Sequence, residues 1–399
     1  MHLIEQYALA CGTKIGKPYI REKYCPVPTD RYITFSPSSK QAKNYDYWKE
    51  SLSMLIPPLD KLNIKILQLG SKEDPSFEGC IDMRGKTSIA QVAYLIKRGI
   101  MHFGTDTFST HMASSFGKKI VCLYSHSPTQ NCGPFWSKKS DVILLNSDKQ
   151  GNKHSFELEE NPKTINTIPP EKISHSVFKM LGLKTKVRHK TVHIGAKWNM
   201  EFLEVVPKGV ATFSRKAPKD RHVIRMDYHF NEEVMVQQLM SNPGLIVTNK
   251  PISLEALLGV KDLIEHVIYL VEDDNFDINF SRELDRKNIK NLIFSNLEGE
   301  PLNKLKYKLL ALSKPIAIIE KKKKEDIPNY ENINIKNLSF RSRKFLIEKD
   351  KIFPGRAAYL NNISIDNFNA DPIPILDQKE FWDEMDFFWL TENQQVTKD

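Results

Sequence analysis

From Arg31 onward, short apolar runs alternate with stretches in which apolar residues recur every three or four positions. Alternation of that kind builds βα units, and a series of them packs helices onto a mainly parallel sheet. The runs predict strands at Tyr32–Ser36, Ile64–Leu69, Gly99–Phe103, Lys119–Tyr124 and Asp141–Leu145. Between them, Trp48, Leu52 and Leu55 share a helical face after Lys43, and Ile89, Val92, Ala93 and Ile96 share another after Ser88. Ser88 with Gln91 three residues on has the form of a capping box. Short strands unbroken in apolar character predict a sheet buried on both faces.

Residues 146–170 are polar, carry Pro162, Pro169 and Pro170 and show no apolar period, which predicts a linker or surface excursion. A second alternation follows. It predicts strands at Thr191–Ile194, His222–Met226, Leu245–Thr248, Val267–Val271, Leu292–Ser295 and Ile316–Ile319, with helices at Asn231–Met240 and near Leu254–Leu258. After Asp377, the residues Phe381, Trp382, Met385, Phe388 and Trp389 fall on one stripe of a helix, which predicts a terminal helix docked on the core or bridging two domains. The expected organisation is an N-terminal segment at 1–30, a Rossmann-like domain at 31–185, a second at 186–360, and a tail with an amphipathic helix at 361–399. The fold class is α/β.

Composition narrows the function classes. With 399 residues, 40% hydrophobic and 27% charged, the chain is long enough for a sizeable core and falls within the range of globular proteins. No apolar run reaches the roughly eighteen residues of a spanning helix, and the start lacks the layout of a signal peptide, so the expected location is the cytoplasm. The five cysteines form no C-x-x-C pair and leave one over, which argues for reduced thiols. A net charge of +9 permits a polyanionic partner and equally suits phosphate-bearing substrates. Nucleic acid is not favoured: basic residues, the Lys321–Lys324 run included, are spread widely and no helix-turn-helix, zinc-finger or RNP pattern occurs.

In an open α/β sheet, ligands bind beyond the carboxyl ends of the strands. The polar clusters of the first half fall there. After the first strand, Ser38, Ser39, Lys40 and Lys43 could cradle phosphate or serve as a solvated helix cap. After the second come Gly70, Ser71, Lys72, Glu73 and Asp74, where a carboxylate could accept from ribose hydroxyls or simply close a turn. After the third comes Asp106-Thr107-Phe108-Ser109-Thr110-His111. Thr105 or Asp106 could cap the following helix, leaving the amides of Thr107, Phe108 and Ser109 for an anion; His111 could equally be a core histidine.

Taken in order, these signals resemble the nucleotide-sugar-binding domain of glycosyltransferase family 9, the lipopolysaccharide heptosyltransferases. The resemblance covers about 31–145 and rests on Ser38, Ser39 and Lys43; Gly70 with Glu73 or Asp74; Gly85-Lys86-Thr87-Ser88-Ile89-Ala90-Gln91; Asp106-Thr107 with His111; and Gly133-Pro134. It implies a GT-B-like pair of Rossmann-like domains and transfer of a sugar from a nucleoside diphosphate to an acceptor glycan or other hydroxyl. Donor-binding residues would be Ser38, Ser39, Lys43, Glu73, Asp74, Asp106, Thr107, Phe108 and His111. Lys43 and the helix amides would take the part a divalent cation plays elsewhere, so no metal or cofactor is expected besides the donor.

Four features depart from the family pattern. Phe108 stands where a glycine follows Asp-Thr, and Asn44-Tyr45 stand where tryptophan and proline follow the lysine. The family's acceptor-side domain comes first, whereas here the donor motifs begin almost at the N-terminus. The second α/β region would have to supply the acceptor side in permuted order. Its loop places Asn231 where the family's catalytic aspartate stands; an amide is no base, so Asp227, Glu232 or Glu233 would substitute. The competing reading is a non-catalytic binding or structural protein that retains a glycosyltransferase fold.

Overall fold

The computed structural model describes residues 1–393 other than 150, 152, 162, 188, 213–220, 274–275, 311–313 and 369. The chain divides into two units, Met1–His189 and Lys190–Asp399. The first is built on one sheet and the second on two.

In the first unit, β1 (Tyr32–Ser36), β2 (Lys65–Gln68), β3 (Ile81–Asp82), β4 (Met101–Thr105), β5 (Lys119–Tyr124) and β6 (Val142–Asn146) form a parallel sheet in the order β3-β2-β1-β4-β5-β6. The order reverses at β1 and β4, which makes the gap beyond their carboxyl ends the natural place for a ligand. Strand β4 starts two residues later than the apolar run suggests, because Gly99 ends the preceding helix by donating its N–H to Leu95 O. A Cβ on Gly104 would stand 2.1 Å from Ser36 O, so these two strand ends approach at a distance that glycine alone permits.

Helix α1 (Leu3–Ala10) and the segment after it belong to this unit: Ile20, Cys25 and Val27 pack into its core. Helices α2 (Trp48–Lys61), α3 (Ile89–Arg98), α4 (Phe108–Ser115), α5 (Thr129–Cys132) and α6 (Pro170–Leu181) complete it. Val92, Ala93 and Ile96 of α3 cover one face with Leu67 and Ile120, as their spacing predicts. On α2, Trp48 lies edge-on to Phe35, whose ring stacks 4.6 Å from Phe103. Strands β1 and β4 are buried along their whole length.

The polar stretch at 146–170 is not a free linker. It folds back over the loop after β1: Gln41 exchanges hydrogen bonds with Glu160, Ala42 N–H donates to Leu158 O, and Lys163 pairs with Asp46. Polar docking leaves no apolar period, so the pattern could not announce it; Pro162 lies outside the described residues.

In the second unit, β7 (His189–Ile194), β8 (Phe202–Val205), β9 (Arg221–Arg225), β10 (Gly244–Thr248), β11 (Ile264–Val271), β12 (Asn291–Ser295), β13 (Ile316–Ile318), β14 (Leu338–Ser342), β15 (Lys344–Glu348), β16 (Lys351–Phe353), β17 (Ile373–Pro374) and β18 (Phe388–Asn393) form two sheets. The larger runs β13-β12-β11-β10-β9-β8-β15-β16, parallel except for β16; the smaller runs β17-β14-β18-β7. Helices α7 (Glu232–Ser241), α8 (Leu254–Gly259), α9 (Ile278–Arg286) and α10 (Gly299–Leu310) cover one face of the larger sheet through Ile224, Ile246, Val267, Tyr269 and Ile293. Short α11 (Arg356–Leu360) and α12 (Lys379–Trp382) follow.

The terminal amphipathic helix is corrected. Helix α12 stops at Trp382, a 3-10 turn holds Met385–Phe387, and Phe388 onward is a strand paired antiparallel with β14. The five aromatic and methionine positions are buried as expected, but around a sheet rather than along a stripe.

Candidate functional site

The first unit gathers polar groups where β1, β4 and β5 end. Lys43 closes a 3-10 turn, Gln41–Lys43, and its backbone is held from two sides: Thr105 Oγ1 donates to Lys43 O at 2.5 Å, and Ser125 Oγ donates to Ala42 O at 2.9 Å. The side chain crosses to β4. Lys43 Nζ lies 2.6 Å from Asp106 Oδ2, and His111 Nε2 approaches the other carboxylate oxygen at 3.6 Å. Burial alone would raise the Asp106 pKa, but His111 and Lys43 outweigh it and hold the carboxyl below its ordinary value. His111 is a surface group facing Asp106, not a core histidine.

The helix cap differs from expectation. Thr107 is the N-cap of α4, and neither its hydroxyl nor the side chains of Thr105 and Asp106 caps the first turn; Thr105 and Asp106 are committed to Lys43. The first-turn amides of α4 thus begin beside the Lys43–Asp106 pair, where an anion would be favoured. Phe108 is the first residue of that helix, has no positive φ, and is 56% exposed. The backbone does not require glycine there, and the side chain is largely exposed at the start of the helix.

The remaining donor-side residues separate into two groups. Ser38 and Ser39 lie half-buried in the loop after β1, where Ser39 N–H donates to Asn44 Oδ1 at 2.7 Å. Asp74 closes its own turn by accepting from Ser71 N–H at 2.7 Å, while its backbone carbonyl takes Arg84; Glu73 is exposed. Gly85, at φ +63°, fits the same turn because a Cβ would meet that of Lys72 at 2.9 Å. Gly133 O accepts from His2 Nε2 at 2.9 Å, which ties the Gly133-Pro134 loop to α1.

Two histidines of this site escape pattern reasoning. His102 is fully buried, with Nδ1 2.9 Å from Thr34 Oγ1 and Nε2 3.1 Å from Ser109 Oγ, and burial pushes its pKa down to about 3. A neutral imidazole therefore ties β1 and β4 to the start of α4. His126 follows β5; its Nδ1 is buried without a partner among the described residues, and burial, then the charge of Lys43, lowers its pKa. Only its place directly after a strand could have flagged it.

The three candidate bases lie in the second unit. Asp227 is held in a two-point pair with Arg225 at 2.7 and 2.8 Å, and Glu232 accepts from the N–H and Oγ of Ser253 at 2.8 and 2.6 Å. Glu233 is exposed, and Asn231 caps α7 by accepting from Val234 N–H. Among the described residues, no group of three or more His, Cys, Asp or Glu could hold a metal ion.

Residues 19–163, the stretch that carries this sheet and cluster, match the model of glycosyltransferase family 9 (heptosyltransferase). The resemblance read over 31–145 lies inside that match. Among solved structures, the chain is similar to ADP-heptose lipopolysaccharide heptosyltransferase II of Escherichia coli, at 18% identity and a TM-score of 0.31 over 39% of this chain and 47% of that one. It is similar to a family 9 glycosyltransferase from Veillonella parvula, at 19% identity and a TM-score of 0.31 over 44% and 49%. It is also similar to the iron-containing dodecameric glycosyltransferase TibC from enterotoxigenic E. coli, at 12% identity and a TM-score of 0.33 over 42% and 51%. The match spans about half the length of each of these structures. No curated protein matches the chain. Among the described residues, no helix is long and apolar enough to cross a membrane.

Proposed function

We propose that the chain is a glycosyltransferase whose first unit binds a nucleoside-diphosphate-sugar and delivers the sugar to an acceptor hydroxyl. The observation that carries this is the Lys43–Asp106–His111 cluster beside the first turn of α4, at the point where the strand order reverses and inside the family 9 match. In this reading the leaving diphosphate takes Lys43 and the α4 amides as its counter-charges. Asp106 holds Lys43 in place through its carboxylate, and His111 stands beside it to reach sugar or phosphate oxygens. The second unit would supply the acceptor side, in the reverse of the family's domain order.

Transfer is proposed to be metal-independent. Turnover of the preferred donor should be unchanged in excess EDTA; loss in EDTA with recovery on adding back one divalent ion would overturn this part.

A non-catalytic protein retaining the fold is favoured by one specific observation: Asp227 and Glu232 are both spent on structural partners. Donor binding without transfer or donor hydrolysis would establish that reading.

A further inference from the structure

Three adjacent strands, β1, β4 and β5, end around the Lys43–Asp106 pair. The first two lead to the groups proposed for the donor, Lys43 and the α4 amides, and the third leads to His126. Ser125 Oγ donates to Ala42 O at 2.9 Å, and His126 and Lys43 each stand one residue beyond a partner of that bond. His126 lies near enough to Lys43, Asp106 and Glu160 for each to act on its charge. The chain at 154–156 holds the backbone of this loop: Phe156 N–H donates to His126 O at 3.1 Å, and His154 Nδ1 stands 3.1 Å from Ser125 O.

The imidazole is 8% exposed, and its two nitrogens differ. Nδ1 is sealed from solvent and has no partner among the described residues, so no ligand reaches it. Nε2 makes no hydrogen bond among the described residues either, and it is not sealed. Burial and the charge of Lys43 lower the pKa of the ring against the opposite pull of Asp106, Glu160 and its own backbone, so the ring is neutral and carries one proton. On Nδ1 that proton would be a buried N–H with nothing to accept it, a rarer state than an unfilled lone pair; on Nε2 it can be donated outward. The nearby carboxylates do not claim it. Asp106 is engaged by Lys43 and His111, and Glu160 by Ser155, Thr164 and Lys149.

We propose that His126 Nε2–H donates to the phosphates of the nucleoside diphosphate, beside Lys43 and the first-turn amides of α4. The inference rests on the donor reading and brings the end of β5 into that site. A hydrogen bond to an ionised oxygen is stronger than one between neutral groups, and a neutral donor provides it without setting a second cation next to Lys43.

The test is calorimetric titration of the full chain with ADP, UDP, GDP and CDP, repeated with His126→Ala, His126→Gln and His126→Asn. Lys43→Ala serves as the reference for the site, and urea unfolding checks that each variant folds. Glutamine carries its amide nitrogen about as far from the backbone as Nε2, and asparagine about as far as Nδ1. His126→Ala and His126→Asn should each weaken the bound nucleotide about tenfold, whereas His126→Gln should stay within about twofold of wild type. A ring that only supports its loop through Nδ1 is replaced better by asparagine, so His126→Asn binding as well as or better than His126→Gln would overturn the inference. That comparison decides even where His126→Ala does not fold. Binding weakened by Lys43→Ala but indifferent to all three His126 variants would also overturn it, and would leave the donor reading standing. Binding of no nucleotide by the wild-type chain would remove the donor reading and this inference with it.

Discussion

Lys43 and Asp106 meet at 2.6 Å across the ends of β1 and β4, with the carboxylate side chain only 6% exposed. The pair joins the loop after one strand to the loop after its neighbour, at the position proposed for the nucleotide. Removing the lysine would leave the buried carboxylate with His111 alone, at 3.6 Å, a loss of up to about 3 kcal/mol. Lys43→Ala is therefore expected to unfold at lower denaturant concentration than Asp106→Asn, because the freed ammonium of Lys43 is 18% exposed and sits on a flexible stem that can turn toward water, whereas the carboxylate is 6% exposed on a short side chain. Equal midpoints for the two variants in urea would show that the pair is not a structural tie.

His102 sets a pH dependence of its own. Its folded pKa lies near 3 against an ordinary 6.5, so below pH 6.5 the unfolded chain takes up a proton that the folded chain refuses. Stability from this group is complete above that value and declines as pH falls toward the folded pKa, by up to about 1.4 kcal/mol per pH unit. The lowered carboxyl of Asp106 acts in the same direction, but only below the ordinary carboxylate range. Urea unfolding of the intact chain should weaken between pH 7 and 5, and His102→Gln should reduce that slope without abolishing it, because burial also lowers the pKa of His126, His193 and His222. A wild-type curve already flat from pH 7 to 5 would mean that His102 titrates normally.

Phe108 occupies the first turn of α4 beside the amides proposed to meet the diphosphate. Its φ is negative, so glycine is not needed for the backbone, and the ring acts through the space it fills. Phe108→Gly should raise nucleoside-diphosphate affinity several-fold by opening close approach. A fall in affinity would instead make the ring a stacking surface for the base.

Much of the first unit can be read from its sequence because burial there follows residue type. Strand β5 is an unbroken apolar run after Lys119, β1 and β4 keep apolar positions on either side of buried Thr34 and His102, and Ser88 and Gln91 form the capping box their spacing suggests. The second unit hides more. Strand β8 carries Glu204 into the interior, where Arg225 and Lys344 neutralise it, so a charged residue marks a buried strand. The C-terminal aromatic positions suit a helix by spacing, yet Phe388, Trp389 and Leu390 are buried on both sides of β18, a pattern that alternation cannot reveal. For the candidate site, strand-end position pointed to Lys43 and Asp106, and the structure sets them side by side with His111 next to the same carboxylate. Position could not separate them from Asp74, whose carboxylate turns back on Ser71, nor find the ring nitrogen of His126 that lacks a partner among the described residues.

The most direct test is calorimetric titration of the intact chain with ADP, UDP, GDP and CDP, repeated with Lys43→Ala and Asp106→Ala after confirming that both variants fold. One of the four nucleotides should bind saturably, and each substitution should weaken it by about tenfold or more. Binding of none of them, or binding that ignores both substitutions, would contradict the donor site and favour a fold kept for another purpose.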